Sequence, residues 1–199
     1  MTKQLTTMMY NKWEYNRNYR REQRRIRKNE LRVRLLQVIA ELRSRILLEV
    51  VAYLAGVIDG EGCITFQIDH RRRLLHGREI NTVTFRPYVS IGMTNEACLR
   101  FIHGAIGFGS VRFKKHEPPL RNSWEYVVTG HRNISILLAL VNPYLIVKRK
   151  QGELTYEFCM SRMFEEHLRF GVIDKSGYSK REREIVSQVK NFQIKSQRK

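Results

Sequence analysis

Hydrophobic positions along the chain follow two periods, and the switches between them mark out its elements. Leu31, Leu35, Val38, Leu42 and Ile46 recur at helical spacing, and the stretch from Met1 to about Arg45 holds neither Gly nor Pro, so a helix with one apolar stripe is predicted there. Val51, Leu54 and Ile58 form the stripe of a second helix. Ala52, Gly56 and Gly60 recur every fourth residue on another of its faces, which is almost bare of side chains and invites close helix contact. The period then drops to two: Ile64, Phe66 and Ile68 alternate with Thr65, Gln67 and Asp69 as in a half-buried strand, and a second strand is expected over 82–93. Asn95 opens a helix reaching Ile106, with Leu99, Ile102 and Ile106 inward. Val111 and Phe113, then Trp124, Tyr126 and Val128, alternate with polar neighbours in two further strands joined across Pro118-Pro119. Helices are expected at 133–140 and 152–168, with a shorter one at 181–192.

The resulting order, α-ββ-α-ββ-αα, predicts an α+β class with a four-stranded antiparallel sheet, helices on one face and the other face open. Three zones follow: a basic helical extension at 1–45, a core domain at 46–170 and a basic tail at 171–199. The open face would carry Thr65, Gln67, Arg86, Tyr88, Ser90, Ser110, Arg112, Lys114 and Glu125, a mixture of donors and acceptors. Arg and Lys can read guanine, Gln adenine, and Glu cytosine, and a β-ribbon fits the major groove. An ordinary solvated antiparallel face would show the same mixture.

The charge pattern of the face leaves both readings open. The 199 residues carry a formal net charge of +18, which calls for a polyanionic partner. No apolar run is long enough to span a membrane, and no signal-peptide core is present, so an intracellular protein is expected, in an organelle or a bacterial cytoplasm. The three cysteines, Cys63, Cys98 and Cys159, have no Cys-x-x-Cys spacing and indicate neither a disulfide framework nor zinc.

The densest chemistry lies in Tyr53-Leu54-Ala55-Gly56-Val57-Ile58-Asp59-Gly60-Glu61-Gly62-Cys63-Ile64, where an apolar helix runs into two carboxylates and then a strand. Acids at a helix C-terminus face the negative end of its dipole, so a nearby cation is expected to compensate them. A plain Asp-Gly-Glu-Gly turn would explain the acids but not the bare face beside them. The string resembles the motif of the LAGLIDADG homing endonucleases, with identity at Leu54, Ala55, Gly56, Ile58, Asp59 and Gly62, six of nine positions. The resemblance runs from about Ile46 to Met160 and is to the single-motif, homodimeric type.

Several expectations rest on that resemblance. The fold would be the family's, with the sheet as a saddle on double-stranded DNA. The activity would be magnesium-dependent cleavage at a long pseudo-palindromic site by a homodimer joined through Ala52, Gly56 and Gly60, leaving short 3′ overhangs. Glu61 would ligate the metal together with the Gly60 carbonyl, and two Glu61 carboxylates drawn together across a dimer axis need cations between them. Lys148, in the late basic segment Pro143 to Gln151, falls at the active-site lysine, and Asn95 where a polar side chain orders water. The usual pocket arginine is replaced by Leu99, so either Arg100 serves from a shifted helix or that role is missing. Asp59 is expected to be structural, accepting backbone hydrogen bonds. Two alternatives stay open. One is an RNA-splicing maturase that binds its intron RNA, with the arginine-rich extension as an RNA-binding segment; the other is a non-cleaving DNA-binding regulator.

Overall fold

The computed structural model describes residues 2–75, 78–119, 121–164 and 177–196. The chain forms two units, Met1–Gln37 and Val38–Lys199. A helix, α1 (Thr2–Arg45), accounts for the first unit, and its last turns belong to the second. There Ile39, Leu42 and Ile46 are buried, and Arg43 donates to the Ala139 carbonyl at 2.8 Å.

The elements of the second unit run α2 (Leu48–Glu61), β1 (Gly62–Leu75), β2 (Arg78–Met93), α3 (Glu96–Ile106), β3 (Ser110–Lys114), β4 (Ser123–Thr129), α4 (His131–Val141), α5 (Arg149–Phe164) and α6 (Lys180–Ser196). The sheet is antiparallel, in the order β1-β2-β4-β3. The expected order α-ββ-α-ββ-αα is therefore present. Ile64, Phe66, Val89, Ile91, Tyr126 and Val128 point from the sheet into a core shared with Leu54 and Ile58 of α2, Leu99, Ile102 and Ile106 of α3, and Phe158 of α5, all essentially without exposure. At about 1.5–3 kcal/mol for each fully buried large apolar side chain, this face holds the fold together.

Strands β1 and β2 run longer than their alternation suggests. Arg71 pairs with Thr82 and Arg72 with Asn81, in a ribbon that projects past the end of β4. Its tip, including His76 and Gly77, lies outside the described residues, as do the end of the helix expected to reach 168 and part of the tail. What the tail does show is α6. It starts with a reciprocal cap in which Ser179 Oγ accepts from the Glu182 amide at 3.2 Å and Glu182 Oε2 accepts from the Ser179 amide at 2.8 Å. It buries Ile185, Val186 and Val189, and its contacts run to α5 and β1.

Glycine is required at the entrance to β3. Gly109 has φ 95°, and a Cβ there would lie 2.6 Å from the Tyr126 ring, whose hydroxyl donates to the Phe108 carbonyl at 2.7 Å.

Candidate active site and nucleic-acid interface

The switch from α2 to β1 happens within one residue because Gly62 lets the chain fold back on the helix. A Cβ there would stand 2.7 Å from both the Cα and the carbonyl oxygen of Ile58. Glu61 is consequently carried to the rim of the sheet. Its carboxylate is exposed, and among the described residues it has no hydrogen bond or ion pair.

Asp59 has a different fate. Its carboxylate accepts the backbone N–H groups of Ile146 at 2.6 Å, Val147 at 3.1 Å and Lys148 at 2.8 Å, fastening the loop before α5 to the end of α2. The Lys148 ammonium then donates to the carbonyls of Ile58 at 2.9 Å and Asp59 at 2.5 Å in the last turn of α2, the first of which also accepts from the Gly62 amide. Lys148 is thus the cation that the two acids were expected to need. Burial alone would raise the Asp59 pKa, but the three amides and the Lys148 charge together hold it below its ordinary value. Burial lowers the pKa of Lys148, with partial opposition from Asp59, Cys63 and Glu61.

The other two predicted catalytic residues are engaged elsewhere. Asn95 is the N-cap of α3, its Oδ1 accepting from the Cys98 amide at 3.1 Å. Arg100 pairs with Glu96 at 2.5 Å and lies over the Trp124 ring at 5.7 Å, while Leu99 is fully buried. The structure therefore brings Lys148, Asp59 and Glu61 to one helix end and does not bring Arg100 to them.

All nine residues expected on the open face do share one face of the sheet. The register sets Thr65 opposite Tyr88, Gln67 opposite Arg86 and Arg112 opposite Glu125. Several are already partnered. Arg86 pairs with Asp69 at 2.7 Å, and Glu125 takes Lys114 at 2.9 Å and the Tyr88 hydroxyl at 3.1 Å. Burial, together with Glu125, raises the Tyr88 pKa. Arg112 Nε donates to Ser110 Oγ at 3.2 Å. Ser90 is a correction: only 7% exposed among its neighbours, it cannot reach a base edge as it stands.

The face is also less open than expected. Gln193 of α6 reaches its edge strand, accepting from the Thr65 hydroxyl at 2.8 Å and donating to Cys63 Sγ at 2.8 Å. Cys63 is the residue after the Gly62 hinge, and burial, the largest influence on it, raises its pKa. A C-terminal helix thus buttresses the strand that carries the site. Nothing in the spacing of α6 marks Gln193 for this role, since its partners lie 128 and 130 residues earlier.

On the α2 surface, Ala52, Gly56 and Gly60 are exposed as predicted. A Cβ at Gly56 or Gly60 would meet nothing within 4 Å. Leu48, 60% exposed, extends this stripe at one end; Ile146 and Val147, 83% and 77% exposed, stand beside its other end on the loop that Asp59 holds. No helix among the described residues is long and apolar enough to cross a membrane.

The sequence matches no protein-family model and no curated protein. Its fold matches solved structures. The archaeal intron-encoded homing endonuclease I-Vdi141I, complexed with DNA, is 26% identical over 71% of this chain and 82% of that one, with a TM-score of 0.56. The homing endonuclease I-CvuI, bound to the I-CreI target in 2 mM Mg with its DNA uncleaved, is 22% identical over 71% and 80%, with a TM-score of 0.51. The LAGLIDADG homing endonuclease I-LtrWI, bound to target DNA, is 19% identical over 70% of this chain but only 42% of its own, with a TM-score of 0.51. With the matching motif set at its α2–β1 junction, the chain has the fold of the LAGLIDADG homing endonucleases.

Proposed function

We propose that the protein is a site-specific DNA endonuclease that acts as a homodimer and hydrolyses one phosphodiester in each strand with the help of a divalent cation. The observation that carries this reading is Glu61, an exposed carboxylate at the rim of a polar saddle with no hydrogen bond or ion pair among the described residues, with the Lys148 ammonium fixed on the same helix end. A protein that only bound DNA would gain nothing from an acid at that point of a basic surface. The DNA complexes of I-Vdi141I and I-CvuI support duplex DNA as the ligand.

The donor set suits a hard cation such as magnesium: Glu61 and the Gly60 carbonyl would offer oxygen ligands, with phosphate and water completing the shell. Bound there, the cation would stabilise charge on the phosphate and lower the pKa of an attacking water. Lys148 has three N–H donors, of which the Ile58 and Asp59 carbonyls use two, so the third is available to a phosphate oxygen as charge builds. Asn95 spends its Oδ1 on α3 and keeps its amide N–H groups for ordering a water. Incubating the purified protein with a library of randomised DNA duplexes, with and without magnesium, tests the reading. Absence of cutting under every divalent cation, with binding intact, would favour the regulator.

One chain supplies one Glu61 and half a saddle, and it spans less than half of I-LtrWI. A second copy across the Leu48, Ala52, Gly56 and Gly60 stripe would complete both, with twofold symmetry that demands a pseudo-palindromic target. Gly56→Leu separates this interface from the fold, because its side chain would meet no other part of the same chain within van der Waals range at the Cβ. Melting of the variant should be nearly unchanged. Dimerisation should weaken by about 1–3 kcal/mol, the usual strain of an overpacked contact. Sedimentation velocity checks both species, and an undisturbed dimer would reject the stripe as the interface.

Gln67 offers the cleanest test of base reading, since it is exposed on the face beside the Arg86–Asp69 pair. Gln67→Ala should cost about 1–3 kcal/mol on the preferred sequence and relax preference at one base pair per half-site. Affinities across a panel of single-pair target variants measure it; uniform weakening at every position would assign Gln67 to the backbone instead.

A further inference from the structure

We infer that one half of the α1 surface is a phosphate clamp for duplex DNA. Between Arg17 and Arg34 there are nine Arg or Lys residues and two acids, Glu22 and Glu30. The stretch is helical throughout, and at about 100° per residue all nine cations fall within an arc of roughly 180°, while both acids fall in the other half. These cations are exposed except for the half-buried Lys28. The composition shows only that the segment is basic; the helix sorts that charge onto one side.

Geometry and chemistry select the occupant. The cationic half extends over about 26 Å at 1.5 Å per residue, against one phosphate charge per about 1.7 Å of duplex axis. Eight of the nine are arginines, whose planar fork grips phosphate oxygens in pairs. A continuous helix without Gly or Pro holds them in a fixed row, which suits the regular phosphate array of a duplex better than the irregular surface of folded RNA. An anionic membrane fits poorly. The opposite side bears exposed Tyr19, Ile26 and Val33, but this stripe is narrow and flanked by Glu22 and Glu30, where a membrane-lying helix would need a broad apolar face bordered by cations. The choice of DNA over other polyanions rests on the endonuclease reading of the core.

The test uses the full chain with Arg20, Arg21, Arg24 and Arg25 changed to Gln, a good helix former that removes charge and keeps the helix. Affinity is measured against salt concentration on the cognate duplex with long flanks, a scrambled duplex of equal length, a structured RNA and anionic phospholipid vesicles. The variant should bind both long duplexes more weakly by the same factor, about 10-fold or more near physiological salt. Its slope of log affinity on log salt should be shallower by up to about 3–4, at roughly 0.9 per lost phosphate contact. Base preference should stay the same. Equal slopes for both proteins on the long duplexes, with cognate binding intact, would overturn the clamp alone. A loss confined to RNA or to vesicles would overturn DNA as its occupant. Failure of the unmodified chain to bind any duplex at low salt would instead overturn the endonuclease reading.

Discussion

Glu61→Gln is expected to abolish cleavage while leaving the folded protein and its DNA complex intact. Glutamine keeps the size of the side chain and one carbonyl oxygen but removes the charge that would hold a divalent cation against the scissile phosphate. Glu61 is exposed and makes no bond within the described residues, so melting should change by no more than about 0.5 kcal/mol, the usual range for a surface substitution. Loss of charge stabilisation in the transition state should slow cutting at least about 10³-fold, the upper range for removing a single preorganised donor. Affinity for target DNA without divalent cation should hold or improve, because an acid facing phosphates is repelled by them. A time course of strand cutting in magnesium, paired with a binding titration in its absence, separates the two effects. Cleavage by the Gln variant at the wild-type rate would refute Glu61 as the metal ligand.

How much of this was legible in the sequence depends on what kind of partner each residue has. Side chains that pack against other side chains leave a period, so α2, the inner face of the sheet and the Leu99, Ile102 and Ile106 face of α3 could be read directly. The shared face of Gln67, Arg86 and Arg112 followed from the same alternation. Partners without a period were not legible. The β1–β2 ribbon extends through the exposed Arg71 and Arg72, where backbone pairing continues without writing an apolar alternation. The contact of Gln193 with Cys63 and Thr65 joins the last described helix to the first strand, and no spacing rule connects them. Ser90 alternates correctly and still ends up buried, since alternation tells which face a residue is on but not what covers it. The motif set Asp59 and Glu61 to different tasks, structural and metal-binding, but which backbone groups Asp59 would accept from could not be read. Asp59 is held by three backbone amides, and backbone amides carry no side-chain signature.

That division of labour sets the second large effect. Asp59→Ala leaves three amides without their acceptor and frees the loop from Ile146 to Lys148, so Lys148 loses the anchor that keeps its ammonium on α2. Hydrogen bonds to a charged acceptor are worth about 1.5–3 kcal/mol each, and because this loop is exposed enough for water to replace part of them, a net loss of about 2–4 kcal/mol is expected. Cleavage should fall about 10²-fold beyond any loss of folded protein, the scale of a misplaced catalytic group, with target affinity little changed. Asp59→Asn keeps one acceptor oxygen and should recover part of the stability. The sign of the pH dependence follows from the depressed Asp59 pKa: the folded state binds the proton less readily than the unfolded chain, so the stabilisation is fully present above the ordinary aspartate range. It is lost as pH falls from the ordinary aspartate range through the depressed value. The gap in melting temperature between wild type and Asp59→Ala should therefore be widest near neutrality and close on acidification. Thermal melts of both proteins across that range decide it: a gap that stays constant, or widens in acid, would mean that the carboxylate charge does not hold the loop.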